Sequence, residues 1–221
     1  INMHQEEPSL LSHFETVRSQ ALIEGGLSTV VYCGKVQAES DLQSVLQVHH
    51  EIVEDEVNKE QTKVTGILLG QGTTILHLIE GSSISVLRIL NSLAGHRHFH
   101  GSSIQSGNIV FSIEDRPRRI FPEWYSGTIP EKKAPNEDIR EENCTVIAYE
   151  MATRLLEIGN VMQMENQDEL DFARHADLLP GKSLISSLAS SPLFFSLEDY
   201  VQMYFDPYHV ELESEQAWPL E

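Results

Sequence analysis

The chain is short of several features at once, and each shortage removes a class of function. Two cysteines, Cys33 and Cys144, stand in 221 residues without a CxxC pair. A disulfide framework or a cysteine-based zinc site is therefore not expected, and a reducing, cytoplasmic compartment is. Basic residues are scarce: 15 Lys and Arg face 34 Asp and Glu, a formal charge of −19. Nucleic acids and anionic membrane surfaces are bound through cationic side chains, so neither is an expected partner. No apolar run approaches the roughly 18 residues that span a bilayer. No secretory signal is read at the N-terminus, which opens on Ile1 and leaves room for a preceding segment. Nor is there an internal repeat, a G-x-S-x-G elbow, a P-loop, a GxGxxG turn, an HExxH helix or a cysteine nucleophile signature, so an enzyme is not expected.

What is present is the patterning of a packed protein, with 40% hydrophobic residues. Residues 1–26 carry Leu10, Phe14, Val17 and Leu22 at roughly helical spacing before Gly25 and Gly26, and predict an N-terminal helix. Leu27 to Cys33 reads as a strand and Asp41 to Val57 as a helix with an acidic outer side. The stretch VTGILLGQGTTILHLIEG at 64–81 predicts a β-hairpin turning at Gly70-Gln71-Gly72. Alternation in its second strand puts Ile75, His77 and Ile79 on one face and Leu76 and Leu78 on the other. Ser82 or Ser83 can cap a second helix striped by Ile84, Val86, Leu87, Leu90 and Leu93. Strands follow at Asn108–Ile113 and Trp124–Ile129, separated by an Arg/Pro-rich turn. The order β-α-β-β-α-β-β fits a ferredoxin-like α+β sheet with two helices on one face. Glu131–Asn136 reads as a linker, and 131–221 as a helical extension with an acidic tail; Ser196–Asp199 is a capping box for its last helix.

Three stretches, VVYCG at 30–34, VTGILLGQGTTILHLIEG at 64–81 and RRIFPEWYSG at 118–127, resemble the BLUF domain over residues 27–130. Arg97 and His98 fall where that family often carries the same pair. BLUF domains sense blue light with a flavin held between the two helices. The resemblance implies a flavin-facing role for Tyr32, which matches the family's redox tyrosine, and for His77, which stands where the family has a glutamine. An imidazole lacks the amide's paired donor and acceptor, so the family's switching chemistry cannot run unchanged. The family's ring-holding asparagine falls near Lys59, with Asn58 adjacent, and its last-strand methionine falls on Ser126. The expected cofactor is none, with FAD at Tyr32, His77, Lys59 and Asn58 as the alternative. The hairpin, with its histidine before an (L/I)-E-G ending, is also similar to that of the testis-expressed protein 47 family. That likeness implies a non-photoreceptor part of a cilium or sperm flagellum.

Plainer roles are expected for most of these residues. Tyr32 reads as a core tyrosine with a paired hydroxyl, and His77 as a neutral imidazole bonded to a neighbour. Lys59 and Lys63 read as solvated loop residues. His96, His98 and His100 alternate, but they follow a helix end without a nearby cysteine, so no metal is expected. Trp124 is expected to fill space beside the second helix, and Arg118 and Arg119 to pair with Glu114 or Asp115. Cys33 and Cys144 are expected to be buried and inert. In the extension, the apolar segment 183–205 holds Phe194, Phe195, Tyr200 and Tyr204, the expected partner-binding surface. Tubulin is acidic like this chain, so an axonemal accessory protein is the expected partner rather than the microtubule surface itself.

Overall fold

A computed structural model describes residues 26–97, 104–130, 140–165, 174–175 and 177–205. The expected N-terminal helix, the 131–136 linker, His98 and His100, and the tail after 205 lie outside the described residues. Strand β1 (Leu27–Val36) leads through a short 3-10 turn to helix α1 (Leu42–Glu60). The hairpin β2 (Thr65–Gln71) and β3 (Thr74–Ser82) feeds helix α2 (Ser83–Arg97). Strands β4 (Ile104–Arg116) and β5 (Trp124–Thr128) complete the ferredoxin-like unit. Helix α3 (Cys144–Glu165), helix α4 (Lys182–Leu188), a two-residue strand β6 (Phe195–Ser196) and helix α5 (Leu197–Phe205) follow.

The six strands form one sheet in the order β5-β2-β3-β1-β4-β6. All neighbours are antiparallel except β2 and β5, which run parallel. The hairpin turn falls at Gly72 and Thr73, at the end of the expected Gly70–Gly72 turn, because Gly70 and Gln71 still pair with Ile75 and Thr74. Gly72 supplies the left-handed φ of 56° that the turn needs. Gly66 is forced more strictly: its φ is 140°, and a Cβ there would lie 2.0 Å from the Leu78 carbonyl oxygen.

Alternation along the strands divides the core into two layers. Val30, Tyr32, Leu68, Ile75 and Ile79 face α1 and α2, which answer with Val45, Leu46, Val53, Leu87, Leu90 and Leu93. Val31, Cys33, Ile67, Leu69, Leu76 and Leu78 point the other way, under α3 and α4. The buried positions of α3 include Ala148, Met151, Ala152, Leu155, Ile158, Gly159 and Met162, a stripe at helical spacing. A Cβ on Gly159 would come within 2.6 Å of Ile120 and 3.0 Å of Phe121, so this helix sits close on the 120–121 turn.

The extension is therefore not a separate helical appendage. It covers the second face of the sheet and adds β6 to its edge, since otherwise the apolar residues on that face would be exposed to water. The cap expected at Ser196 forms: its hydroxyl accepts the Asp199 N–H at 3.1 Å and meets the Asp199 carboxylate at 2.7 Å. Ser82 caps α2, accepting the Ser85 N–H at 3.2 Å.

Candidate functional site

The polar side chains buried beneath α1 form the candidate site. Tyr32 comes from β1 and His77 from β3, directly opposite each other in the pairing of these strands. Both face α1 because each shares its strand parity with buried apolar neighbours, Val30 and Ile75. Between them comes His49, presented by α1 one turn after Val45 and one turn before Val53. All three are buried, His49 and His77 completely. Their rings touch: Tyr32–His49 centroids are 5.8 Å apart and stacked, Tyr32–His77 5.8 Å, and His49–His77 5.5 Å. Trp124 closes the row, 5.9 Å from His77 and 5.3 Å from the half-exposed His50.

The hydrogen bonds settle the tautomers. His49 Nδ1–H donates to the Val45 carbonyl at 2.7 Å, so its Nε2 is left to accept the Tyr32 hydroxyl. Trp124 Nε1–H donates to His77 Nε2 at 3.1 Å, which puts the His77 proton on Nδ1. That Nδ1–H is buried and meets no acceptor among the described residues. Burial is the largest cause holding both histidines neutral: it lowers the pKa of His49 to about 4, against the hydrogen bond to Val45 and with a smaller push from His96, and that of His77 well below 6.5, with a smaller push from His49. Burial likewise raises Tyr32 well above 10 and pushes the Cys33 thiol up, so neither ionises near neutrality.

The arrangement is a filled core, and a flavin does not fit it. The surface that Tyr32 presents is occupied by His49, and the Tyr32 hydroxyl is engaged there. Lys59 is not brought to the cluster. It lies at the far end of α1, about 15 Å beyond His49 at 1.5 Å per residue, and pairs with Asp55 at 2.5 Å. Asn58, beside it, is also exposed. Ser126 pairs with Leu68 across β5 and β2. His96 ends α2 in an exposed position, and no group of three or more potential His, Cys, Asp or Glu metal ligands occurs among the described residues.

Several expectations need correction. Trp124 packs beside the first helix rather than the second, because β5 lies at the α1 end of the sheet. Arg119 does not pair with Glu114 or Asp115. It reaches the Glu80 carbonyl at 2.9 Å and the Thr65 hydroxyl at 3.4 Å. The carboxylate of Glu80, the E of the LIEG ending, is fully buried and accepts the Phe121 N–H at 2.8 Å and the Ile120 N–H at 3.1 Å. Thr29, Thr65 and Arg116 complete its shell at 3.3, 3.3 and 3.4 Å. Glu80 thus pins the turn before β5, a role that the charged residue inside an apolar strand could have signalled. His49 had a signal too, standing at i+4 from Val45 and at i−4 from Val53.

The expected partner surface at 194–204 also changes. Tyr200 is 6% exposed and shares a hydrogen bond with Ser112 at 2.8 Å, so it cannot serve as a contact surface. Tyr204 is half-buried and donates to Glu114 at 2.6 Å, and Phe194 packs on the layer under α3. Of the four, only Phe195 is exposed.

Solved structures with some likeness to the chain include BLUF proteins. The dark-state structure of BlrB is 19% identical over 49% of this chain and 76% of its own, with a TM-score of 0.37. The BLUF domain of BlrP1, a Klebsiella pneumoniae protein, is 13% identical over 75% and 90%, with a TM-score of 0.37. Photo-activated BlsA is 10% identical over 75% and 96%, with a TM-score of 0.38. Likeness of this degree says nothing of what the chain binds. The sequence model of testis-expressed protein 47 matches residues 26–206, from the first strand to the end of α5. With that match over most of its length, the chain belongs to the testis-expressed protein 47 family.

Proposed function

We propose that the chain is a non-catalytic structural or interaction module of a sperm-flagellar or ciliary assembly, and that it resides in the axoneme. The observation that carries the non-catalytic half is the contact among Tyr32, His49 and His77. Side chains of the chain itself fill the place between sheet and helices where a small molecule would sit. A rigid α+β block with helices on both faces suits a component that positions others. The testis-expressed family supports the sperm setting. The charge of −19 favours accessory proteins with basic surfaces over tubulin as neighbours.

The test is crosslinking mass spectrometry on detergent-extracted sperm axonemes carrying the full chain. Retention in the axonemal fraction, with crosslinks to accessory proteins, is the expected outcome. Quantitative release with the soluble fraction would overturn the assignment.

A further inference from the structure

The outer edge of β4 is the least finished part of the sheet. β4 pairs with β1 from Ile104 to Arg116, but on its other side, among the described residues, only Asn108 and Ile109 are paired, with β6. Register irregularities against β1 fall at Val110 and again near Asp115, whose φ is 56°. Between them Phe111 to Ile113 pair regularly with β1, and from Phe111 to Glu114 no strand lies on the other side among the described residues. Backbone N–H and C=O groups at such an edge are a template for an added strand.

The side chains around this stretch are shaped for a contact. Phe111 and Ile113 point to the α3 side, where the Tyr149 ring lies 6.3 Å from Phe111 and Val146 stands one turn earlier. Ile113 is 41% exposed, Val146 55% and Tyr149 62%, a concentration of apolar surface unusual beside an open edge. On the opposite side Ser112 and Glu114 are held by Tyr200 and Tyr204 of α5. The edge is therefore flanked by α3 on one face and α5 on the other, and β6 already shows an antiparallel strand seated in line with it.

We infer that the Phe111–Glu114 edge of β4 docks an extended, basic segment of a partner protein as an added strand. Apolar residues at alternate positions of that segment would lie on Phe111, Ile113 and Tyr149, and its Lys or Arg residues beside Glu114 and Asp115. Arg116 does not offset these acids for the partner, being turned to Glu80. Charge excludes the other occupants. A second copy would bring another −19, and residues 206–221 carry Glu211, Glu213 and Glu215 to an edge already acidic. This docking site deepens the interaction-module reading and rests on it.

The experiment is amide hydrogen exchange on the full chain, free and with a synthetic peptide alternating lysine and valine. The outward-facing amides between Phe111 and Glu114 should exchange freely in the chain alone. The peptide should slow them about tenfold or more. The same peptide N-methylated on alternate amides, or with glutamate replacing lysine, should leave them unchanged. Ile113→Lys, at an exposed position and with an unchanged Tm, should weaken peptide binding about tenfold. Three results would overturn the inference: no slowing, equal slowing by the N-methylated peptide, or edge amides already protected in the free chain. None of these bears on axonemal retention, which the crosslinking experiment decides separately.

Discussion

Under α1 and α2 the sheet presents Tyr32 and His77, and the first helix answers with His49; under α3 and α4 it presents Val31, Cys33, Ile67, Leu69, Leu76 and Leu78, answered by Ala148, Met151, Leu155 and Ile158. The same strands supply both faces, one residue apart. One layer is held mainly by hydrocarbon packing, with the buried carboxylate of Glu80 at its rim. The other contains groups that must shed their protons to stay buried. A single sheet can therefore have one side lined with buried histidines and another lined mainly with hydrocarbon, set by the parity of a few residues.

The largest effect should come from the one charged anchor at the rim of the apolar layer. Glu80→Ala strips partners from two backbone N–H groups, two hydroxyls and Arg116, and should cost about 3–5 kcal/mol in urea unfolding. A loss under 1 kcal/mol, on the order of a surface change, would mean that the 120–121 turn holds itself.

Leu155→Ala, at a fully buried position under α3, should cost about 3 kcal/mol. The loss should be the same at pH 7 and pH 5, because Leu155 packs in the hydrocarbon part of that layer. A pH-dependent loss would blur the distinction between the faces.

Acid should act through the other layer. The folded-state pKa of His49 is depressed from 6.5 to about 4, so the unfolded chain binds more protons in between. The stability this provides is complete above pH 6.5 and drains away as pH falls toward 4. His49 alone should account for about 2 kcal/mol between pH 6.5 and pH 5. A flat stability profile across that range, measured by urea midpoints, would contradict the burial of His49.

The smallest change is also the most discriminating. His77→Leu removes an unmatched Nδ1–H but also the acceptor of Trp124 Nε1–H, which is partly exposed and can turn to water, so stability at pH 7 should change by no more than about 1 kcal/mol. Below pH 6 the variant should be the more stable protein, because its leucine has no proton to gain. A large loss at pH 7 would reveal an acceptor for Nδ1 that the described residues do not supply.

Local patterns made much of this legible. Alternation in β3 put His77 on the face where it lies, with Ile75 and Ile79, and the Ser196 cap was readable from four residues. What escaped depends on partners far apart in the chain. Tyr32 and His49 are 17 residues apart, and Glu80 and Phe121 are 41 apart, so no window shows either bond. The turn at Gly72 was placed early because Gly70 looks like turn chemistry. A Cβ at Gly70 would instead crowd Leu42 and Leu46 at about 3 Å, so its role there is close packing under α1. Tyr200 looked like surface for a partner because composition cannot tell an exposed aromatic stripe from one that covers its own sheet.

The central claim is that Tyr32, His49 and His77 close the space beneath α1 and leave no room for a planar ligand. It is tested most directly by incubating the purified full chain with excess FAD, removing free ligand by gel filtration and recording the absorption spectrum. The account predicts a colourless protein fraction, with flavin only in the small-molecule volume. A yellow protein carrying one flavin per chain would contradict it, and would mean that His49 can leave the place it fills.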